Sequence, residues 1–281
     1  MKIIVTGANS FIGSNLCKSL VSEKIDVYAL INKNTDKVDL LNGNPYFHVV
    51  TNINDIDKTD IVAIYHFAWY GIDKGSRNDK KIQESNIEMS KNILEYAISR
   101  KIPKFIYAGS QAEIGLRSEY GKAKAEFGRF AVEDIAKHNS NMSFYHLRIF
   151  SVYGKDDHED TLINNLITSV RNNSKIKLSK AEQLWNYIYI DDAVEILKYF
   201  IDDNKMKEIP YRKFYELGSS ETKPLKEYIL DIAKVNDKFD KSNLEFGAIE
   251  SNVEGDFGLN PDISWIKNYK FTKFDDAIKL L

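Results

Sequence analysis

The chain is 281 residues long, 43% hydrophobic and 28% charged, with a formal net charge of −2. These proportions allow one large domain or two modest ones with a full core, and they exclude a disordered or low-complexity chain. Acidic and basic residues are interspersed, so bulk charge gives no support to a nucleic-acid or anionic-membrane partner. The single cysteine, Cys17, has no mate for an internal disulfide, which fits a reducing cytoplasm. Its helical spacing behind a glycine turn suits a packed small hydrophobe. The first residues run straight into a strand without a charged leader, and no run of about 18 apolar residues occurs. A cytoplasmic protein without a membrane partner is expected. His48, His66, His138, His146 and His158 show no metal-ligand spacing, so no metal is expected.

In chain order, strands are predicted at KIIVTG, DVYALIN, YFHVV, IVAIYHFAW, KFIYAGS and SFYHLRIF. Between them lie amphipathic helical stretches, IGSNLCKSLVSEK, NIEMSKNILEYAISRK and KAKAEFGRFAVEDIAKHN. This alternation points to an α/β fold, a doubly wound parallel sheet with right-handed crossovers. The apolar runs are continuous rather than alternating, as a sheet covered on both faces requires. Further on the rhythm loosens. DTLINNLITSVRNN reads as a helix, IKLSKAEQLWNYIYI as a short strand pair and DDAVEILKYFIDD as a helix. A strand at KFYELGS, a helix at KPLKEYILDIAKV and a short final helix complete a smaller C-terminal α/β lobe.

The turn after the first strand, TGANSFIGSNL, carries Gly7 and Gly13 at the outer positions of a G-x-x-G-x-x-G spacing, with Ser10 in the middle. Such a turn, here with Asn9, Phe11 and Ile12, lets backbone N–H groups and a helix N-terminus hold a pyrophosphate. The end of the second strand reads Ile31, Asn32, Lys33, without the carboxylate that holds the ribose of the non-phosphorylated dinucleotide. NADP is therefore favoured over NAD. Ser110 closes the strand KFIYAGS, and Tyr120 and Lys124 follow four residues apart on one helix face. An ammonium beside the phenol is expected to lower its pKa and suit it to proton transfer. The same spacing occurs at Tyr70/Lys74 and Tyr269/Lys273, but only Tyr120/Lys124 follows a strand ending in a hydroxyl.

With the glycine turn, Ser110 and Tyr120/Lys124 in that order, the chain resembles the extended short-chain dehydrogenase/reductase family, in particular its nucleotide-sugar epimerases, dehydratases and reductases. The resemblance implies a Rossmann-type NAD(P)-binding domain over 1–155, with 186–203 returning to it, and a substrate lobe over most of 156–281. It implies that Phe67, Ala68 and Trp69 in HFAW, Asn86, and Phe150 and Val152 in LRIFSVYG meet the cofactor. NYIYIDDAVEI and ELGSS resemble the segments entering the substrate lobe. Tyr120 would exchange a proton with the sugar oxygen, Ser110 would polarise it, and Lys124 would hold the nicotinamide ribose.

Gln111 and Ala112 occupy substrate-side positions where family dehydratases carry an Asp-Glu pair, so dehydration is not expected. Trp185 and Asn186 stand in the substrate lobe where relatives have Arg and Asp. Only ten positions separate Ser110 from Tyr120. This, with IKLSKAEQLWNYIYIDD and LEFGAIESNVEGDFG, most resembles short CDP-4-keto-3,6-dideoxyhexose reductases of the paratose-synthase type. The implied activity is NADPH-dependent 4-ketoreduction of a nucleotide-diphospho-6-deoxy or 3,6-dideoxy sugar. The alternatives are an NAD-dependent 4-epimerase and a non-catalytic NADP-binding regulator. Pairing of NIEMSKNILEYAISRK and YGKAKAEFGRFAVEDIAKH across a two-fold axis would make a homodimer.

Overall fold

The structure, a computed structural model, describes residues 1–32, 36–56, 60–73, 75–138, 140–250 and 260–281. The chain begins with β1 (Lys2–Thr6), α1 (Phe11–Ser22), β2 (Asp26–Leu30), β3 (Phe47–Val50) and β4 (Ile61–His66). It continues through α2 (Lys80–Ser99), β5 (Lys104–Ser110), α3 (Glu119–Lys137), β6 (Ser143–Ile149) and β7 (Ser151–Tyr153). Then follow α4 (Leu162–Arg171), β8 (Ile176–Leu178), β9 (Leu184–Tyr189), α5 (Ile190–Leu197) and α6 (Asp203–Glu208). Last come β10 (Tyr215–Leu217), β11 (Thr222–Pro224), α7 (Leu225–Ala233), β12 (Leu244–Phe246) and α8 (Phe274–Ala277).

Contacts divide the chain into one unit of 1–149 with 194–216 and another of 150–193 with 217–281. The sequence reading places the crossing at 155 and the return over 186–203.

The large sheet runs β10-β6-β5-β4-β1-β2-β3, with parallel pairing from β3 through β6. This is the Rossmann-type arrangement expected. Strand order reverses between β1 and β4, and ligands of open α/β sheets bind beyond the strand ends at such a switch point. Ile4, Ile64 and Phe105 pack against Ile93, Leu94 and Ala97 of α2 and Phe127, Ala131 and Ile135 of α3. Helix starts follow polar caps: Ser10 accepts from Gly13 N–H, Asp79 from Lys81 and Ile82, and Ser118 from Gly121. Because Asp79 caps it, α2 begins at Lys80, earlier than the apolar pattern from Asn86 predicts; its first turn holds a single apolar residue, Ile82, too little to show a hydrophobic period.

The second unit holds a three-stranded sheet, β11-β9-β7, and a two-stranded one, β12-β8. The expected strand pair over IKLSKAEQLWNYIYI does not form: β8 pairs with β12, while β9 pairs with β11 and β7. The reason lies in the connecting segment. Ala181 has φ +54, and the carbonyls of Ala181 and Gln183 accept from Lys226 and Leu225 N–H. These bonds pin the segment to the start of α7 instead of closing a hairpin. The core of this unit is aromatic, with Phe274 packed at tilted and edge-on angles among Tyr153, Tyr187 and Tyr228 at 4.7–5.9 Å between ring centres.

Candidate active site

The turn from β1 into α1 lies at the switch point, hydrogen-bonded to both neighbours: Gly7 N–H donates to Leu30 O, and Phe67 N–H donates to Thr6 O. Gly7 has φ +66, and a Cβ there would stand 2.7 Å from Ala68 N. A Cβ on Gly13 would stand 2.3 Å from Gly7 O. The backbone alone fits, and the turn stays tight because neither glycine carries a side chain. Ser10, in the middle glycine's place, spends its hydroxyl on capping α1. Beside this turn opens a cleft of about 450 Å³ lined by Gly7, Asn9, Ser10, Asn32, Phe67, Ala68 and Trp69. Thr51 and Met89 also line it; no local pattern in the sequence marks them, because β3 and α2 reach the cleft only through sheet order. Phe11 is buried in the first turn of α1 with Ile12 beside it. Asn32 Nδ2 donates to Tyr70 Oη at 2.9 Å; Lys33 lies outside the described residues.

A buried polar chain fixes the other wall. Ser90 Oγ donates to Asn86 O and so accepts from His66 Nε2–H at 2.8 Å. Nδ1 of His66 is then the acceptor for the Thr6 hydroxyl at 2.7 Å, and Thr6 Oγ1 accepts from Ala68 N–H. Burial, then the Lys124 charge, lowers His66 to about 3, so the ring is neutral as this chain of bonds needs. Asn86 bonds both backbone groups of Tyr70, accepting from N–H and donating to O at 2.9 Å. It thereby holds segment 67–70 in place, and it is 1% exposed. Trp69 Nε1 donates to Gln83 Oε1.

Ser110, Tyr120 and Lys124 come together at the end of β5 and the start of α3. The Ser110 hydroxyl lies close enough to the Tyr120 phenol to favour its ionised form. Lys124 Nζ donates to Ala108 O at 2.6 Å and lies 4.0 Å from the centre of the Trp69 ring, but 5.8 Å from that of Tyr120. The expected coupling between the two is corrected by this geometry. Burial raises the Tyr120 phenol above its ordinary value, with the Ser110 hydroxyl and the Arg77 charge acting against it. The ammonium expected to lower the phenol is itself lowered to about 7 by burial.

Gln111, Ala112 and Glu113 form a 3-10 turn behind Ser110. Ser110 Oγ accepts from Ala112 N–H, and Glu113 accepts from Ser110 N–H at 2.8 Å, a capping box. Glu113 is buried against His146 at 2.9 Å and Arg148 at 3.5 Å, and the Arg148 guanidinium stacks 3.6 Å over Phe214. The sequence reading missed this support, although Ser110-x-x-Glu113 has capping-box spacing.

Phe150, Val152, Trp185 and Asn186 belong to the second unit. Phe150 N–H donates to Leu217 O, and Val152 pairs with Ile188. Asn186 is 1% exposed; its Nδ2 donates to Ser219 O, Glu221 O and Thr222 Oγ1, while its Oδ1 accepts from Ser219 N–H. Its amide is thus committed to the backbone of its own unit. Trp185 Nε1 is buried and finds no acceptor among the described residues.

A switch-point cleft with a glycine cradle, beside a serine, tyrosine and lysine, defines a dinucleotide-dependent enzyme. The chain belongs to the NAD dependent epimerase/dehydratase family, whose model matches residues 3–218, and is an NAD(P)-dependent oxidoreductase. Two proteins named CDP-abequose synthase are similar to it. The one from Salmonella muenchen is 30% identical over 246 residues, covering 79% of this chain and 80% of the relative. The one from Yersinia pseudotuberculosis is 28% identical over 213 residues, covering 73% and 74%. The solved UDP-glucuronic acid 4-epimerase from Bacillus cereus, in complex with UDP-glucuronic acid and NAD, superposes with a TM-score of 0.81 at 21% identity. It covers 100% of this chain and 97% of that one, a likeness of fold. Among the described residues no helix is long and apolar enough to cross a membrane.

Proposed function

We propose that the enzyme reduces the 4-keto group of a nucleotide-diphospho-6-deoxy or 3,6-dideoxy sugar with NADPH. The observation that carries this reading is the closeness of the Ser110 hydroxyl to the Tyr120 phenol, with Gln111 and Ala112 where an acid–base pair for dehydration would stand. The similarity to CDP-abequose synthases supports a CDP-linked deoxysugar.

Gly7, Asn9 and Ser10 would hold the dinucleotide's phosphates, and Asn32 its adenosine end. Asn32 stands without a carboxylate among the described cleft residues, which supports a 2′-phosphate. When bound, the reduced nicotinamide supplies hydride chemistry. Ser110 polarises the sugar carbonyl, and Tyr120 delivers a proton to the same oxygen. Lys124, held by Ala108 O, faces the cofactor ribose.

A cytoplasmic homodimer through α2 and α3 belongs to the same reading. Support comes from Phe130, half-buried beneath Lys91, and from Val132, 54% exposed on the outer side of α3. Light scattering at micromolar protein reporting a monomer mass would remove the dimer.

The test is a panel of CDP-, dTDP- and UDP-linked 4-keto sugars with NADPH and NADH, followed at the nicotinamide absorbance. NADPH consumption with a CDP sugar is expected. Tightly bound NAD in the purified protein, with interconversion of C4 epimers and no net NADPH consumption, would instead establish the epimerase.

A further inference from the structure

Arg77 lies in the segment joining β4 to α2, which the sequence reading passed over. Its backbone N–H donates to Asp73 O at 2.9 Å. Its carbonyl accepts from Tyr120 N–H at 3.1 Å, and Asn78 Oδ1 accepts from Glu119 N–H at 3.1 Å. These two N–H groups open α3 and have no partner within the helix. One segment thus caps the helix that carries the tyrosine. The same segment sets the Arg77 guanidinium 4.8 Å from the centre of the Tyr120 ring.

The groups facing Tyr120 can be taken element by element. β5 presents the Ser110 hydroxyl and the Tyr107 phenol, the turn after it presents Glu113, and α3 itself presents Lys124. The loop after β4 adds Trp69, which is neutral and edge-on at 6.3 Å. Glu113 opposes a phenolate. Lys124 commits its Nζ to Ala108 O and the Trp69 ring. Arg77 sets a guanidinium against the ring, and a guanidinium over a ring is attracted to the neutral phenol as well as to a phenolate.

We propose that Arg77 is the positioning residue for Tyr120, fixing its ring and stabilising the phenolate left when the tyrosine gives up its proton. In that step the Tyr120 O–H bond breaks, its electron pair stays on the phenolate oxygen, and the proton forms the new O–H on the sugar oxygen. Water later returns a proton to the phenolate. The destination of the proton rests on the ketoreductase reading. The effect of Arg77 on the phenol does not.

The experiment is a pH titration of tyrosine labelled at Cζ, read by NMR in wild type, Arg77→Gln and Arg77→Lys, with the Tyr120 signal assigned from Tyr120→Phe. The Gln variant should titrate about one pH unit higher or more, the size of effect an opposite charge at this range exerts. The Lys variant should return most of the way. In turnover, Arg77→Gln should lower kcat about tenfold, move the basic limb of the kcat profile to higher pH, and leave NADPH affinity unchanged. If the Gln variant folds poorly, Arg77→Met keeps apolar packing on the ring and reports the same shift. A Tyr120 midpoint that is the same in wild type and the neutral variants overturns the proposal, even if the keto sugar is reduced. A shifted midpoint with no keto sugar accepted leaves Arg77 standing and sinks the ketoreductase reading.

Discussion

Among the described residues, each unit of this protein contains one buried asparagine bonded to backbone on a neighbouring segment, and the two do different work. Asn86 holds Tyr70 and with it the wall of the switch-point cleft, through groups that the sheet has already brought together. Asn186 ties β9 to Ser219, Glu221 and Thr222 in a unit whose sheets are only three and two strands wide. In the first unit a broad sheet supplies rigidity, and polar side chains are free to shape a site. In the second, short strands give little cooperative backbone pairing, and polar side chains are spent on holding the fold. Asp192 is a second instance: it accepts from Tyr269 Oη, Thr272 N–H and Thr272 Oγ1.

The comparison breaks most sharply at Tyr120. On the ketoreductase reading proposed above, Tyr120→Phe should lower kcat by about 10²–10⁴-fold while NADPH affinity stays nearly intact, because that reading gives the phenol the proton transfer. Steady-state rates set beside a fluorescence titration of NADPH check this, and near-normal turnover would remove the catalytic assignment.

Next come the two asparagines. Asn186→Ala leaves several buried groups without partners and should cost about 3 kcal/mol in urea unfolding. Asn86→Ala should cost less, about 2 kcal/mol, and weaken NADPH binding as well. Equal losses of stability with unchanged cofactor affinity would erase the distinction drawn between the units.

Lys124 gives a pH test. Its folded pKa of about 7 lies below its unfolded value of 10.5. Between these two pH values the unfolded chain binds a proton that the folded protein does not, so stability of the cofactor-free enzyme should rise with pH from about 7 toward 10. Lys124→Met should flatten that rise in chemical denaturation at stepped pH. An identical slope in the variant would show that the amine is charged when buried.

The smallest effect is expected at the cleft mouth. Asn32→Asp places a carboxylate where a 2′-phosphate would lie and should shift the NADPH/NADH preference about tenfold toward NADH. An unchanged ratio would move the reading of that phosphate to another residue.

The sequence by itself determined the α/β alternation, the strand ends that carry Gly7 and Ser110, and the helix face shared by Tyr120 and Lys124. Each of these is written in short-range pattern: apolar runs of strand length, turn glycines and a four-residue helical spacing. It also held the Ser110–Glu113 cap, legible from its spacing though unread. Only the tertiary structure decided what each group faces. Lys124 turns to Ala108 and Trp69 because burial leaves an ammonium few acceptors, and the nearest is a strand-end carbonyl. Arg77 reaches Tyr120 from a loop 43 positions earlier in the chain, and β8 leaves β9 for β12. Pairings across such separations depend on sheet order and loop anchoring, to which local periodicity is blind.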